Sequence, residues 1–151
     1  MLKLLTQVFF YIFILSSTAL SQPAEELLEG HWQNEEESMV IEFYEKNDLW
    51  HARIVAIEDS LDRYGDKKRD IYNTDASMRA RKIIGIDYLY GLKYKENSKK
   101  WTGGTLYNYQ NGNTYNAIMN MDEDENLYIK GYWSYFRFLG SATLWQKIKE
   151  K

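Results

Sequence analysis

The densest set of chemically able side chains comprises Asp70, Asn73 and Asp75, then Arg79 and Arg81, with Trp101 and Tyr107 further along the chain. A guanidinium offers a planar fork of donors that matches a carboxylate or a phosphate. Trp and Tyr add apolar walls with a hydrogen-bonding edge. Together they suit a ligand with an acidic head, and Tyr115 joins Arg79, Arg81, Trp101 and Tyr107 as a candidate ligand-binding residue. The same residues have a plainer use, in which Arg79 and Arg81 pair with Asp70 and Asp75 and pin their segment to the rest of the fold. A pinning Arg is buried with its donors taken, whereas a ligand anchor faces a cavity shared with Trp101 or Tyr107. One Arg of each kind is expected.

Other chemistry is thinly represented. His31 and His51 are the two histidines, they are not at helical spacing, and there is no Cys to complete a zinc set. Gly140-Ser141-Ala142 lacks the pattern of a nucleophile elbow, and no phosphate loop or dinucleotide fingerprint occurs. Asp122 to Asn126 imitates the first half of a calcium loop, yet Leu127 stands where Gly is needed and Trp133 where the bidentate Glu belongs. It reads as a solvated hairpin turn, and Glu35-Glu36-Glu37 as an acidic loop. No catalytic residue, metal site or cofactor is expected. An enzyme built on this chain would have to use carboxylates, Arg and Tyr in acid–base chemistry.

These residues must be positioned by strands. Ser38 to Tyr44 alternates, with Met39, Ile41 and Phe43 on one face, and Leu49 to Ile57 alternates likewise after the polar turn Glu45 to Asp48. The pattern returns in Ile83 to Tyr94, Trp101 to Tyr109, Thr114 to Met121, Leu127 to Tyr132 and Ala142 to Ile148. Asn111-Gly112 is the strongest hairpin signal among the separators. Between the two groups, residues 59–82 are rich in charge, lack the period of two and contain a short helix-like piece capped by Asp75. The prediction is an all-β, up-and-down antiparallel β-barrel of about eight to ten strands, with residues 59–82 as an excursion over its rim. A barrel removes the exposed edges that an open sheet would leave.

The first residues carry an address. Val8 to Leu15 is an unbroken apolar run, preceded by Lys3 and followed by the small residues Ser16 to Ser21, with Ala19 and Ser21 where a signal peptidase reads. The run is far short of the roughly 20 residues that span a bilayer. Residues 1–21 are therefore expected to be a cleaved signal peptide, leaving 130 of the 151 residues as one barrel domain, 22–151, without a stable membrane anchor. The expected location is periplasmic or secreted. With no Cys in the chain, neither a disulfide nor a lipid-modified cysteine is available. Loss of Lys3 with the leader takes Lys+Arg from 19 to 18 against 22 Asp+Glu, a net charge of −4, which argues against nucleic-acid binding. The 13 Tyr and 5 Trp favour pleated, half-buried surfaces and could also line a pocket.

Several ordered segments carry a family resemblance: Gly30-His-Trp32, Asp70-Ile-Tyr-Asn73-Thr-Asp75, Arg79-Ala-Arg81 followed by Ile83-Ile-Gly85, and Trp101-Thr-Gly-Gly104-Thr-Leu-Tyr107. Asn111-Gly112-Asn-Thr114-Tyr115, Lys130-Gly131-Tyr132 and Trp145-Gln-Lys147 complete the order. From about Glu29 to Ile148 the chain resembles the exported bacterial family known as domain of unknown function 2147. The resemblance implies a lipocalin-like barrel and no established activity. Gly30-His-Trp32 on the first strand also resembles lipocalins proper, which implies a barrel closure in which Trp32 meets a basic residue of the last strand, here Lys147, two residues after Trp145. A Lys can make a cation–π contact with the indole but lacks the planar stacking of Arg. Where relatives usually carry Pro, this chain has Thr74, Lys82 and Tyr109, so rigid turn positions are loosened. Asn108 stands in place of a carboxylate and cannot ionise.

Two functions are compatible with these observations. The first is an exported binding protein for a small amphipathic or apolar ligand, with the excursion acting as a lid. The alternative is an envelope module that meets a protein partner through exposed aromatics.

Overall fold

The computed structural model describes residues 24–133 and 140–149; the leader expected over residues 1–21 lies outside them. A short helix, α1 (Ala24–Leu28), precedes eight strands: β1 (Gly30–Asn34), β2 (Met39–Lys46), β3 (Leu49–Ile57), β4 (Asp87–Lys95), β5 (Lys100–Asn108), β6 (Asn113–Met121), β7 (Leu127–Tyr132) and β8 (Gly140–Lys147). Each strand pairs antiparallel with the next, and β1 pairs with β8 to close an up-and-down barrel. The predicted barrel is thus the observed one, at the lower end of the expected strand number.

Local chemistry explains the turns. Asn47 and Asp48 both take positive φ, which gives the β2–β3 hairpin the twist its strands require. At the β5–β6 hairpin only Gly112 does so, and a Cβ there would lie 1.8 Å from the Tyr72 carbonyl oxygen. Glycine is needed at this point because the hairpin tip presses directly on the excursion. At the β6–β7 turn Asp122 accepts the backbone N–H groups of Asp124 and Asn126, the solvated turn expected from its sequence.

Bulges interrupt the alternation. Ala52 pairs with Leu89 but Arg53 pairs with Asp87, so Tyr88 is an extra residue in β4. A second irregularity between Trp50 and Ala52 falls at Gly91, which has positive φ. The strand expected from Ile83 begins only at Asp87. Residues 83–86 instead form a turn closed by the Ile86 N–H on the Ile83 carbonyl.

The core fills one end of the barrel. Trp32, Phe43, Ala52, Leu92, Trp101, Met119 and Leu127 are completely or almost completely buried there, and Leu28 of α1 is buried with them. Trp32 meets Phe43 edge to face with ring centroids 6.3 Å apart. Its indole N–H donates to the Leu28 carbonyl at 2.8 Å, and the Lys147 ammonium donates to the Leu27 carbonyl at 2.7 Å. The last carbonyls of α1 thereby gain partners, one of them a cation suited to a helix C-terminus. The ammonium also stands 5.8 Å from the Trp32 ring centroid, and a Cβ on Gly30 would touch the Lys147 stem at 3.6 Å.

Candidate functional site

The opposite end of the barrel is hollow. A cavity of about 1150 Å³ opens there, and its wall residues come from all eight strands, with the small side chains Gly131, Ser141 and Thr143 among them as well as larger ones. Gly131 leaves a gap where an inward side chain would stand: a Cβ there would meet only Leu106 and Tyr115, at 3.5 Å. Met39, Ile57, Leu106 and Ile129 supply apolar wall. Tyr88, the extra residue of the β4 bulge, also lines the cavity and packs on Trp145 with centroids 5.8 Å apart. The bulge is what gives β4 this aromatic contribution to the cavity.

Two polar groups at this wall lack partners among the described residues. The Trp145 indole N–H has no acceptor although Trp145 is 1 % exposed. The Tyr88 hydroxyl makes no hydrogen bond with a described residue. Burial pushes its phenol well above the ordinary tyrosine range, with the nearby Tyr109 phenol adding to the shift. A buried donor without an acceptor is costly, so the Trp145 N–H favours an oxygen-bearing occupant nearby.

The excursion lies across this end. Asp59, Asp62, Lys68, Arg69, Ile71 and Tyr72 all line the cavity. The excursion is ordered by its own contacts: Asp62 accepts the N–H groups of Tyr64 and Asp66, and Lys68 pairs with Asp59. The predicted helical piece is a single 3-10 turn, Ala76–Met78, capped by Asp75, whose carboxylate accepts from Ser77 and is held below its usual pKa by those bonds.

A second cluster fastens the excursion to the outer wall. Asp70, fully buried, receives the Tyr107 hydroxyl at 2.6 Å, the Asn73 amide at 2.8 Å, and the Arg81 Nε and Nη2 at 2.9 and 2.8 Å. Asn73 also donates to the Tyr107 oxygen at 3.0 Å. Burial and the Asp70 carboxylate both push the Tyr107 phenol upward. With both oxygens engaged, Asp70 acts as an internal anchor for three partners and has little capacity left to serve as a base.

The structure distributes the sequence-predicted residues over three places. Arg81 and Tyr107 meet at Asp70, and the Arg81 guanidinium carbon lies 5.4 Å from the Tyr107 ring centroid. Both border an outer cleft of about 920 Å³ that also holds Lys82, Asp87, Tyr90 and Trp133. Arg79 is exposed and donates from Nε to the Asn73 carbonyl at 2.8 Å. Trp101 does not join them: it is buried in the plugged end, against Tyr94 at 4.8 Å, because it points inward while Tyr107, beyond the bulge at Gly103, points outward. Tyr115 lines the mouth cavity, packs on Trp133 at 5.0 Å and accepts from Asn111 at 3.1 Å. Of the closure residues, Gly30, Trp32 and Lys147 stand together, and Trp145, one inward position back along β8 and paired with Asn34 and Leu127, borders the cavity from the core.

Sequence reasoning missed Tyr88 and the small residues Gly131, Ser141 and Thr143. No signal in the alternation marks Tyr88, since a bulge inserts a residue without changing composition. The lone Gly131 within a strand was the available hint of open space. Among the described residues no group of three or more His, Cys, Asp or Glu is placed to hold a metal, and no helix is long and apolar enough to cross a membrane.

A closed eight-stranded meander with a plugged end and a hollow end defines a lipocalin-like barrel. The Helicobacter pylori protein HP1028, described as belonging to the lipocalin family, has the same fold: TM-score 0.69 at 24% identity, covering 82% of this chain and 84% of that one. Residues 30–147 match the family described as "Uncharacterized protein conserved in bacteria (DUF2147)", and the chain belongs to it. No curated protein matches the chain.

Proposed function

We propose that the protein is an exported, soluble binding protein that holds a small amphipathic molecule in the hollow half of its barrel, without catalysing a reaction. The observation that carries this reading is the mouth cavity itself, with an apolar wall and the buried, unpartnered Trp145 indole N–H. Its size suits a ligand of moderate length, and its mixture of apolar area with a few polar groups is the usual composition of such sites. Export is supported by the leader pattern in residues 1–21. Absence of catalysis is inferred from the residue inventory and from the full engagement of Asp70. The excursion serves as the lid, pinned at Asp70 and bordering the cavity with its other side.

Solvent extraction and mass spectrometry of the purified protein are expected to release an amphipathic small molecule. Gly131→Leu should abolish its retention while keeping the barrel folded, because the new side chain enters the cavity. A native protein that carries nothing and binds no apolar fluorophore would remove the reading. A second reading is favoured by one specific observation: Leu61, Tyr64, Ile71 and Tyr72 of the excursion are strongly exposed. These side chains suit contact with a protein partner.

A further inference from the structure

We infer that the mouth cavity selects an amphiphile with a positively charged head, an amine or quaternary ammonium, and rejects the carboxylate-headed chains that its apolar wall would otherwise accept. This rests on the binding reading above and adds the sign of the ligand's charge.

The inference starts from which charges border the cavity. Glu35, Glu36, Glu58, Asp59 and Asp62 contribute carboxylates, against Lys68 and Arg69 as cations. Lys68 and Asp59 cancel one another, and Arg69 keeps its charge, so Glu35, Glu36, Glu58 and Asp62 stand against one cation. Lys68 is paired with Asp59, and an Arg69 Nη1 hydrogen bond goes to the Ala80 carbonyl. Arg79 and Arg81, the residues whose forks suit an acidic head, do not line this cavity; Arg81 is committed to Asp70 on the outer wall. A carboxylate head at the mouth would therefore meet a surplus of like charge within one Debye length. An ammonium would meet the opposite.

Aromatic groups at the same opening favour the same sign. Tyr72, Tyr109, Tyr115 and Trp133 border the cavity, and each ring face carries negative quadrupole density that attracts a cation. Tyrosine and tryptophan faces are the chemistry by which quaternary ammonium groups are recognised. The buried donor at the wall describes the other part of the ligand. The Trp145 N–H, unpartnered at the cavity wall, can donate to an ester, amide or hydroxyl oxygen below the head. The remaining wall, Met39, Ile57, Leu106 and Ile129, takes the tail.

Three probes of equal chain length separate the possibilities: dodecyltrimethylammonium, dodecanol and dodecanoate, each below its micellar concentration and titrated into the full-length protein by tryptophan fluorescence. The ammonium is expected to bind at least about tenfold more tightly than the carboxylate in low salt, with the gap narrowing as salt is raised. The variant Glu35→Gln, Glu36→Gln, Glu58→Gln, changed only at exposed positions, should narrow it likewise while dodecanol binding stays constant. Dodecanoate binding as tightly as the ammonium would overturn the inference and leave the binding reading standing. If none of the three binds, or if all bind Gly131→Leu as well as the native protein, the cavity is not the site and both readings fall.

Discussion

The two ends of this barrel are built from the same eight strands and have opposite interiors. At one end Trp32, Phe43, Trp101, Met119 and Leu127 fill the space, with α1 laid across it. At the other, Gly131, Ser141 and Thr143 withdraw from the axis and leave the cavity. A barrel of eight strands has just enough interior for side chains to fill it or for one small ligand to enter. The contrast teaches that occupancy here is decided by side-chain size at a few inward positions and by the β4 bulge that brings Tyr88 to the cavity. Stability and binding are thereby assigned to different halves of one sheet.

Five substitutions can break or sharpen this contrast. The largest effect is expected from Trp32→Ala, which empties the plugged end and removes the bond to Leu28; a loss of about 3–5 kcal/mol should appear in chemical denaturation. Tyr115→Ala, at the half-buried mouth, is expected to cost only about 1 kcal/mol. Equal losses would mean that the mouth is as much core as the floor.

An intermediate effect is expected where the excursion is fastened. Arg81→Ala leaves the buried Asp70 carboxylate without its cation; because the Arg81 side chain is 38% exposed, the loss should be about 2 kcal/mol, below the figure for a fully buried pair. Arg79→Ala removes one exposed bond to a carbonyl and should change stability by less than about 1 kcal/mol. Melting curves of the two variants side by side test this ranking. Two equally large losses would make both arginines fasteners.

The smallest effect lies on the outer wall between the ends. Tyr44 donates to Asp87 at 2.7 Å, and burial with that carboxylate raises its phenol from 10.0 to about 12. The folded protein thus holds this proton more tightly than the unfolded chain. The associated stability is present below pH 10 and is lost as pH rises from 10 towards 12. Tyr44→Phe should flatten the stability profile in that interval alone, measured as a difference from the native protein.

Much of this arrangement was legible beforehand where residue period and pairing coincide. Leu49 to Ile57 and Leu127 to Tyr132 have the bounds that their alternation suggests. The pairing of Arg81 with Asp70 was readable as a charge match within one segment, and Asp75 as a cap from its position before the helical turn. What escaped depends on bulges and on distant contacts. Tyr88 enters the cavity because one extra residue shifts β4, and Trp101 parts from Tyr107 because the bulge at Gly103 separates their faces. Helix α1 escaped because five residues carry too little period to read, and its place is set by Trp32 and Lys147. The cavity was hidden for a similar reason: empty space is a property of several strands facing one another, and no single segment encodes it.

The seam between β1 and β8 has a consequence for how the molecule forms. It is the short junction at which Trp32 pairs with Lys147, Gln33 with Gln146 and Asn34 with Trp145, residues from opposite ends of the barrel sequence. Hairpins from β1 to β8 can assemble by neighbour pairing, but the β1–β8 junction requires the longest loop closure in the fold, so it should be the last step and a slow one. Until it closes, the intermediate presents two unpaired strand edges, each a template for another chain. Aggregation during refolding should accordingly rise with protein concentration and originate at β1 and β8, leaving the finished barrel, which has no edge to offer, inert to the same process.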